Sequence, residues 1–236
     1  MIRDDAEVVT LRPARLVRAF AALIAALHAL NLAAQIERLR GSGRSTAWTR
    51  FVDVDVEANL PTWCSSVLLL TCAASAWLAS HRGARSRRGW RALAFALALL
   101  SADEVLCVHE RVAAWLLAGL AVRRVEPAWL WALGGAVVAA FAASLVPFLR
   151  ALPARLRRDL VIAGAVFVTG GLGFEALGQR YAASHGWRDA TYAALSALEE
   201  LLEMLGALLC LRAITADLTG PGGTLELRLG APRRDQ

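Results

Sequence analysis

Seven acidic residues interrupt the apolar stretches of this 236-residue chain, together with one histidine and one arginine. A charged acid at the centre of a bilayer costs roughly 2.5–3.5 kcal/mol on insertion scales. Several such acids are therefore tolerated only inside a helix bundle, where they are protonated, paired or bound to a cation. The nine residues are Asp103, Glu104, His109, Glu110 and Arg111 in one stretch, Glu175 in a second, and Glu199, Glu200 and Glu203 in a third.

Metal binding is the first interpretation of these residues. Carboxylate and imidazole groups suit iron, manganese or zinc, and carboxylate-rich helix bundles hold one or two such divalent ions. The predicted metal ligands are Asp103, His109, Glu110, Glu175, Glu199 and Glu203. The residues predicted to support them are Glu104, Glu200, His28, Asn31 and Arg111. No catalytic residue or organic cofactor site is indicated.

Two features keep other functions open. The Glu-x-x-His pattern of di-iron bundles is missing, since Leu106 stands three residues before His109. The zinc motif H-E-x-x-H also fails, because Ala113 occupies the place of its second histidine. A metalloenzyme acting on a lipid-phase or periplasmic small molecule is one hypothesis. The alternatives are a small proton- or cation-coupled transporter and a structural network of protonated acids.

The elements that position these residues are apolar blocks of about 20 residues, the length of a helix that crosses a bilayer. Because 57% of the chain is hydrophobic and its mean hydropathy is +0.48, a soluble enzyme, a disordered chain and a disulfide scaffold are excluded. We predict an all-α membrane bundle of six transmembrane helices. The spans are Leu16–Ile36, Leu60–Ser80, Ala92–Leu120, Ala128–Leu149, Leu160–Tyr181 and Ala190–Ile214.

Helix periodicity predicts that the acids converge. Residues advance by about 100° in an α-helix, so Asp103 and Glu110 share a face if their helix is unbroken. Glu199, Glu200 and Glu203 fall within an arc of about 100°. At 1.5 Å per residue, all the acids lie in the middle or outer part of the membrane. His28 and Asn31, one turn apart in the first span, reach a similar depth.

Arginine sets the expected orientation. All 26 basic residues are arginine, and 17 of them flank the spans on the side that holds both termini. The positive-inside rule then places both termini in the cytoplasm of a bacterial inner-membrane protein. Because the arginines lie between apolar blocks, the positive charge indicates membrane lipid rather than nucleic acid as the partner. No protein partner is indicated.

The remaining segments divide simply. Residues 1–15 form a predicted cytoplasmic arm, 16–215 the single membrane domain, and 216–236 a flexible cytoplasmic tail in which Thr224–Leu229 alternates as a strand does. Between the first two spans, Phe51–Glu57 alternates apolar and acidic residues and predicts a short outer-surface strand. We interpret its acids, Asp53, Asp55 and Glu57, as a solvated face. A lid over the acidic site is the alternative.

Three motifs give the chain a resemblance to a family of uncharacterised bacterial multi-pass membrane proteins. The first is Asn59-Leu60-Pro61-Thr62-Trp63, with Ser65-Ser66, at the start of the second span. The second runs from Leu100-Ser101 through Asp103-Glu104 to His109-Glu110. The third is Glu199-Glu200 through Glu203-Met204-Leu205-Gly206, and Glu175 with Leu177-Gly178 also fits. The resemblance implies the six-span architecture and no known activity.

Overall fold

A computed structural model describes residues 7–40, 45–82, 86–108, 111–112, 115, 127–219 and 223–229. The fold is α-helical, with one small two-stranded sheet. Its elements are β1 (Glu7–Leu11), α1 (Pro13–Arg40), α2 (Ala47–Val52), α3 (Leu60–Ala79), α4 (Arg87–Leu106), α5 (Pro127–Ala151), α6 (Ala154–Val168), a π-helical segment (Thr169–Phe174), α7 (Glu175–His185), α8 (Ala190–Thr219) and β2 (Leu225–Leu229).

Four helices within the described residues are long and apolar enough to cross a membrane, and they indicate a membrane protein. They are α1, α3, Trp131–Ala151 of α5, and the 32-residue helix Ala154–His185 that joins α6, the π-helical segment and α7. Helices α4 and α8 are long enough too, with 20 and 30 residues, but carry too many charged residues. Within the described residues, four of the six predicted spans are therefore apolar enough by composition.

Helix α8 lies in the middle of the bundle, where α1, α3 and α6 pack against it. Met204, Leu211 and Ile214 are at most 1% exposed. The Cys72 thiol of α3 donates to the carbonyl oxygen of Ala207 at 3.2 Å, which ties the two helices together. Because protein surrounds α8 on several sides, this helix can carry polar residues that a lipid-facing helix could not.

A glycine allows α6 and α8 to approach closely. A Cβ atom on Gly206 would lie 2.6 Å from the backbone nitrogen of Phe167 and 2.7 Å from its Cα. These are backbone atoms, which cannot turn aside as a flexible side chain can. Any side chain at position 206 would therefore force the two helices apart.

The bundle has two distinct ends. The loop end carries α2, and the sheet end carries β1 and β2. The strands pair antiparallel, with Glu7 opposite Leu229 and Leu11 opposite Leu225. The strand expected near the C-terminus is therefore present, but its partner from the N-terminal segment was not foreseen. The pairing places both terminal segments at the same end of the bundle.

The strand predicted at Phe51–Glu57 is wrong. The segment begins in helix α2, which the capping box of Thr46 starts. The Thr46 hydroxyl accepts from the Thr49 N–H at 3.2 Å, and the Thr46 N–H donates to the Thr49 hydroxyl at 2.9 Å. These two bonds satisfy backbone donors that the first helical turn leaves free. The segment with alternating apolar and acidic residues therefore does not form a strand.

The unbroken helix predicted at Ala92–Leu120 is also wrong. Helix α4 ends at Leu106, and Cys107 follows with φ 51° and ψ 44°. This left-handed conformation is uncommon for a residue with a Cβ atom. Since the helix breaks there, periodicity no longer places Glu110 on the face of Asp103. His109 and Glu110 themselves lie outside the described residues.

Replacing Gly206 with alanine tests the close packing of α6 and α8. We expect Gly206→Ala to lower the free energy of unfolding by about 2 kcal/mol, as overpacking commonly does. Gly164→Ala is the matched control, because a Cβ atom there meets nothing within 4 Å. Thermal unfolding in detergent measures both variants. Equal melting temperatures for the two variants would contradict this packing.

Candidate functional site

Three glutamates form a cluster on the central helix α8. Glu199, Glu200 and Glu203 are half-buried and share one turn of the helix. We call these three residues the acid turn. Their spacing of one, three and four residues keeps them on one side of α8.

The π-helical segment packs directly against the acid turn. A Cβ atom on Gly170 would lie 2.7 Å from the backbone oxygen of Glu199 and 3.0 Å from Cγ of Glu203. A Cβ atom on Gly171 would overlap Oε1 of Glu203. Glycine is thus required at position 170, which faces backbone atoms of α8, whereas position 171 faces the flexible end of the Glu203 side chain. π-Helical turns are rare and often lie at functional sites, where they reposition side chains within a helix.

Acids from three other elements surround the acid turn. Glu203 lies within electrostatic range of Glu104 and Asp103 of α4 and of Glu175 of α7. Glu199 and Glu200 both lie within range of Asp55, which belongs to the loop after α2. These like charges repel one another when ionised. The fold therefore concentrates negative charge at one place in the bundle.

Compensating groups are scarce around the acid turn. In the part of the chain that the structure describes, no N–H or O–H group donates to the carboxylates of Glu199, Glu200 or Glu203, and no arginine pairs with them. A buried carboxylate is expensive without a donor, a counter-charge or a proton. The acid turn must therefore be neutralised by protons, by a bound cation or by residues outside the described part.

The loop 53–59, which we call the acidic loop, is anchored by a buried ion pair. Asp53 is 2% exposed. Its Oδ2 accepts from Nη1 of Arg38 at 2.7 Å, and its Oδ1 accepts from Nε2 of Gln35 at 3.0 Å. Burial raises the pKa of Asp53, although its backbone hydrogen bond and Arg38 act in the opposite direction. The ion pair therefore positions the loop, but its attraction does not fully offset the cost of removing the Asp53 carboxylate from water.

The other two acids of the loop contact α8 and the end of α4. Oδ1 of Asp55 accepts from the Tyr192 hydroxyl and the Ser196 hydroxyl, each at 2.8 Å. The Cys107 thiol donates to Oε2 of Glu57. The solvated-face interpretation is thus wrong for Asp53, whereas Asp55 and Glu57 are exposed as expected and also accept these hydrogen bonds. The loop fastens α1, α8 and α4 together above the acid turn.

The remaining predicted residues lie in several environments. His28 is half-buried, with Nδ1 3.0 Å from the Ile24 carbonyl and a buried Nε2 that no described residue contacts by hydrogen bond. Asn31 is buried and accepts from the Val54 N–H at 3.4 Å, so it holds the acidic loop. Arg111 is exposed. Oε1 of Glu175 accepts from Nε2 of Gln179 at 3.3 Å.

Across the described ranges, no three His, Cys, Asp or Glu residues are close enough to hold a metal ion.

Sequence reasoning missed the residues that link the acidic loop to the bundle. The sequence does not indicate that Asp55 meets Tyr192 and Ser196, because more than 130 positions separate Asp55 from each of them. A local pattern did mark the loop. Asn59 caps α3, because its side-chain oxygen accepts from the Thr62 N–H at 3.2 Å. An asparagine shortly before Pro61 is typical of a helix start, so the sequence indicates that the loop ends and α3 begins there.

The four apolar helices and the acid turn together describe a helical protein of membrane type that carries acidic residues inside its helix bundle. Residues 16–218 match a family model described as Domain of unknown function (DUF8692), and the chain belongs to this family. No curated protein and no solved structure is significantly similar to it. The match agrees with the resemblance to an uncharacterised family and assigns no activity.

Removing the Asp53 carboxylate tests the anchor of the acidic loop. We expect Asp53→Ala to cost about 2 kcal/mol of unfolding free energy, because hydrogen bonds to a charged group are lost at a buried position. Asp159→Ala is the matched control, since Asp159 is less buried than Asp53 and its partner Arg158 is 68% exposed. It should cost less than about 1 kcal/mol. Thermal unfolding measures both, and a loss no larger for Asp53→Ala than for Asp159→Ala would refute the anchor.

Proposed function

We propose that this chain is a six-span bacterial inner-membrane protein whose acid turn, with neighbouring acids, binds a divalent metal ion. The loop end faces the periplasm and the sheet end faces the cytoplasm. An enzyme that acts on a lipid-phase or periplasmic small molecule is one form that such a protein takes. The metal site is the part of the proposal that experiment can address first.

Two observations support six spans. The pairing of β1 with β2 brings both terminal segments to one end of the bundle, which requires an even number of crossings. Helix α4 has 20 residues, as α3 has, and α8 has 30 residues. Helix α8 is enclosed by α1, α3 and α6. A helix enclosed by others can cross the membrane with acids in its middle, because those acids do not face lipid.

The concentration of carboxylates around the acid turn carries the metal proposal. Glu203 has Asp103, Glu104, Glu175 and Glu199 within electrostatic range. No described group donates a hydrogen bond to the carboxylates of the acid turn, so these oxygens remain available to a cation. Oxygen ligands of this kind suit manganese, iron or zinc when an imidazole joins them.

The ligand set needs residues beyond the acid turn. The described carboxylates alone do not bring three ligand groups together. His109 and Glu110 follow α4 by only a few residues, and α4 already contributes Asp103 and Glu104 to the cluster. We therefore propose that His109 and Glu110 complete the site. Glu104, Glu200, His28, Asn31 and Arg111 would support it, with Asn31 acting through the acidic loop.

A proton pathway is the second candidate, and one observation favours it. Asp55 lines a cavity at the loop end and also lies within electrostatic range of Glu199 and Glu200. Titratable groups thus follow one another from the cavity to Glu203. Chains of carboxylates in a membrane protein commonly carry protons.

Metal analysis of the purified protein separates the two candidates. We expect about one equivalent of bound manganese, iron or zinc in the wild type, since carboxylate and imidazole ligands hold these ions. Asp103→Asn combined with Glu203→Gln should remove it. Glu37→Gln combined with Asp217→Asn is the matched control, because both acids are exposed. Mass spectrometry of metals gives the content.

A content below roughly a tenth of an equivalent of metal per wild-type chain would contradict the metal proposal, because a specific site fills stoichiometrically. Unchanged metal content in the Asp103→Asn, Glu203→Gln double variant would do the same. Proton-driven uptake into sealed vesicles without bound metal would favour the second candidate.

Labelling of introduced cysteines tests the orientation. Arg50→Cys in α2 and Arg155→Cys in α6 place exposed thiols at opposite ends of the bundle. With a membrane-impermeant maleimide on intact cells, Arg50→Cys should react and Arg155→Cys should react only after permeabilisation. The unsubstituted chain reports the background from its own cysteines. Labelling of Arg155→Cys in intact cells would reverse the orientation.

A further inference from the structure

A cavity of about 240 Å³ lies at the loop end, between the last turns of α1, the acidic loop and the start of α8. Charged side chains of both signs line it: Arg38, Arg188, Asp55 and Asp189. Trp187 and Tyr192 supply aromatic surface, with their rings 5.1 Å apart and nearly perpendicular. The cavity is distinct from the proposed metal ligands, of which it contains none.

Two of the four charged side chains, Asp189 and Arg38, already have partners within the protein. Oδ1 of Asp189 accepts from the Thr191 N–H at 2.7 Å and so caps the first turn of α8. There its negative charge faces the positive end of the helix dipole. Arg38 donates to Asp53 at 2.7 Å and to Oε1 of Gln35 at 3.2 Å. These contacts compensate Asp189 and Arg38 within the protein.

The other two charges remain available. No residue in the described ranges forms a hydrogen bond or an ion pair with the Arg188 guanidinium, which is exposed. Asp55 uses Oδ1 for both Tyr192 and Ser196, and no described group donates to its Oδ2. Within the described part of the chain, the cavity therefore presents one cationic group and one carboxylate oxygen that no other residue occupies.

We propose that this cavity binds a small zwitterion that carries a phosphate or carboxylate group and an ammonium group. Arg188 would bind the anionic group, since a guanidinium donates two parallel hydrogen bonds to such groups. Asp55 would bind the ammonium group, and Trp187 and Tyr192 supply aromatic surface beside it, since aromatic rings attract cations. A volume of about 240 Å³ admits a molecule of headgroup size.

The same chemistry has two sources, a zwitterionic lipid headgroup or a free solute. Phosphoethanolamine carries both groups without the lipid tails and serves as the soluble probe. Trp187 is 59% exposed, and exposed tryptophan is common where a membrane protein meets the headgroups. Binding at this cavity is independent of the metal proposal, because it requires neither Glu203 nor His109.

Calorimetric titration of the purified full chain in a non-ionic detergent tests the proposal. Phosphoethanolamine should bind more tightly than ethyl phosphate or ethylamine, each of which offers only one of the two charged groups. Arg188→Gln should weaken phosphoethanolamine binding by about tenfold or more, because a charge-assisted pair is lost. Arg180→Gln, an exposed arginine outside the cavity, is the matched control and should bind as the wild type does.

Native mass spectrometry from nanodiscs, with and without phosphatidylethanolamine in an anionic lipid background, distinguishes the sources. Retention of phosphatidylethanolamine by the wild type and its loss in Arg188→Gln support a lipid headgroup. Binding of the soluble probe without lipid retention supports a free zwitterion. The proposal is overturned when neither ligand binds, when Arg188→Gln binds as tightly as Arg180→Gln, or when the one-charge probes match phosphoethanolamine.

Discussion

The rest of this structure depends on enclosing the carboxylates of the acid turn within the helix bundle. Their burial is costly, so α8 lies at the centre and other helices surround it. Gly206 brings α6 against α8, and Gly170 and Gly171 bring the π-helical segment onto Glu199 and Glu203. The acidic loop closes the same region from the loop end through Asp55. The small residues and the loop thus serve one physical requirement.

The approximate positions of the long helices could be predicted from apolar blocks, because a membrane-spanning helix must satisfy its own backbone. The side-by-side placement of Glu199, Glu200 and Glu203 followed from helix periodicity. The end of α4 could not be predicted, since nothing in the residues around Cys107 announces a left-handed conformation. The π-helical turn at Thr169–Phe174 could not be predicted either, because its glycines are equally typical of closely packed α-helices.

Contacts between distant segments were the least predictable part. The alternation of Phe51–Glu57 suggested a solvated strand, yet Asp53 is buried against Arg38 of α1. The partner of β2 lies more than 200 positions away, in the N-terminal segment. Such pairings depend on the assembled bundle, which single-sequence patterns do not encode. They nonetheless decide where the acidic loop sits and on which side the two terminal segments meet.

The central claim is that the acid turn binds a metal ion, and an equilibrium titration with Mn²⁺ tests it most directly. Metal-depleted protein is titrated while electron paramagnetic resonance counts the free ion. The account predicts saturable binding by the wild type and by Asp217→Asn, and its loss in Glu203→Gln. Absence of saturable binding, or equal binding by Glu203→Gln and the wild type, would contradict it.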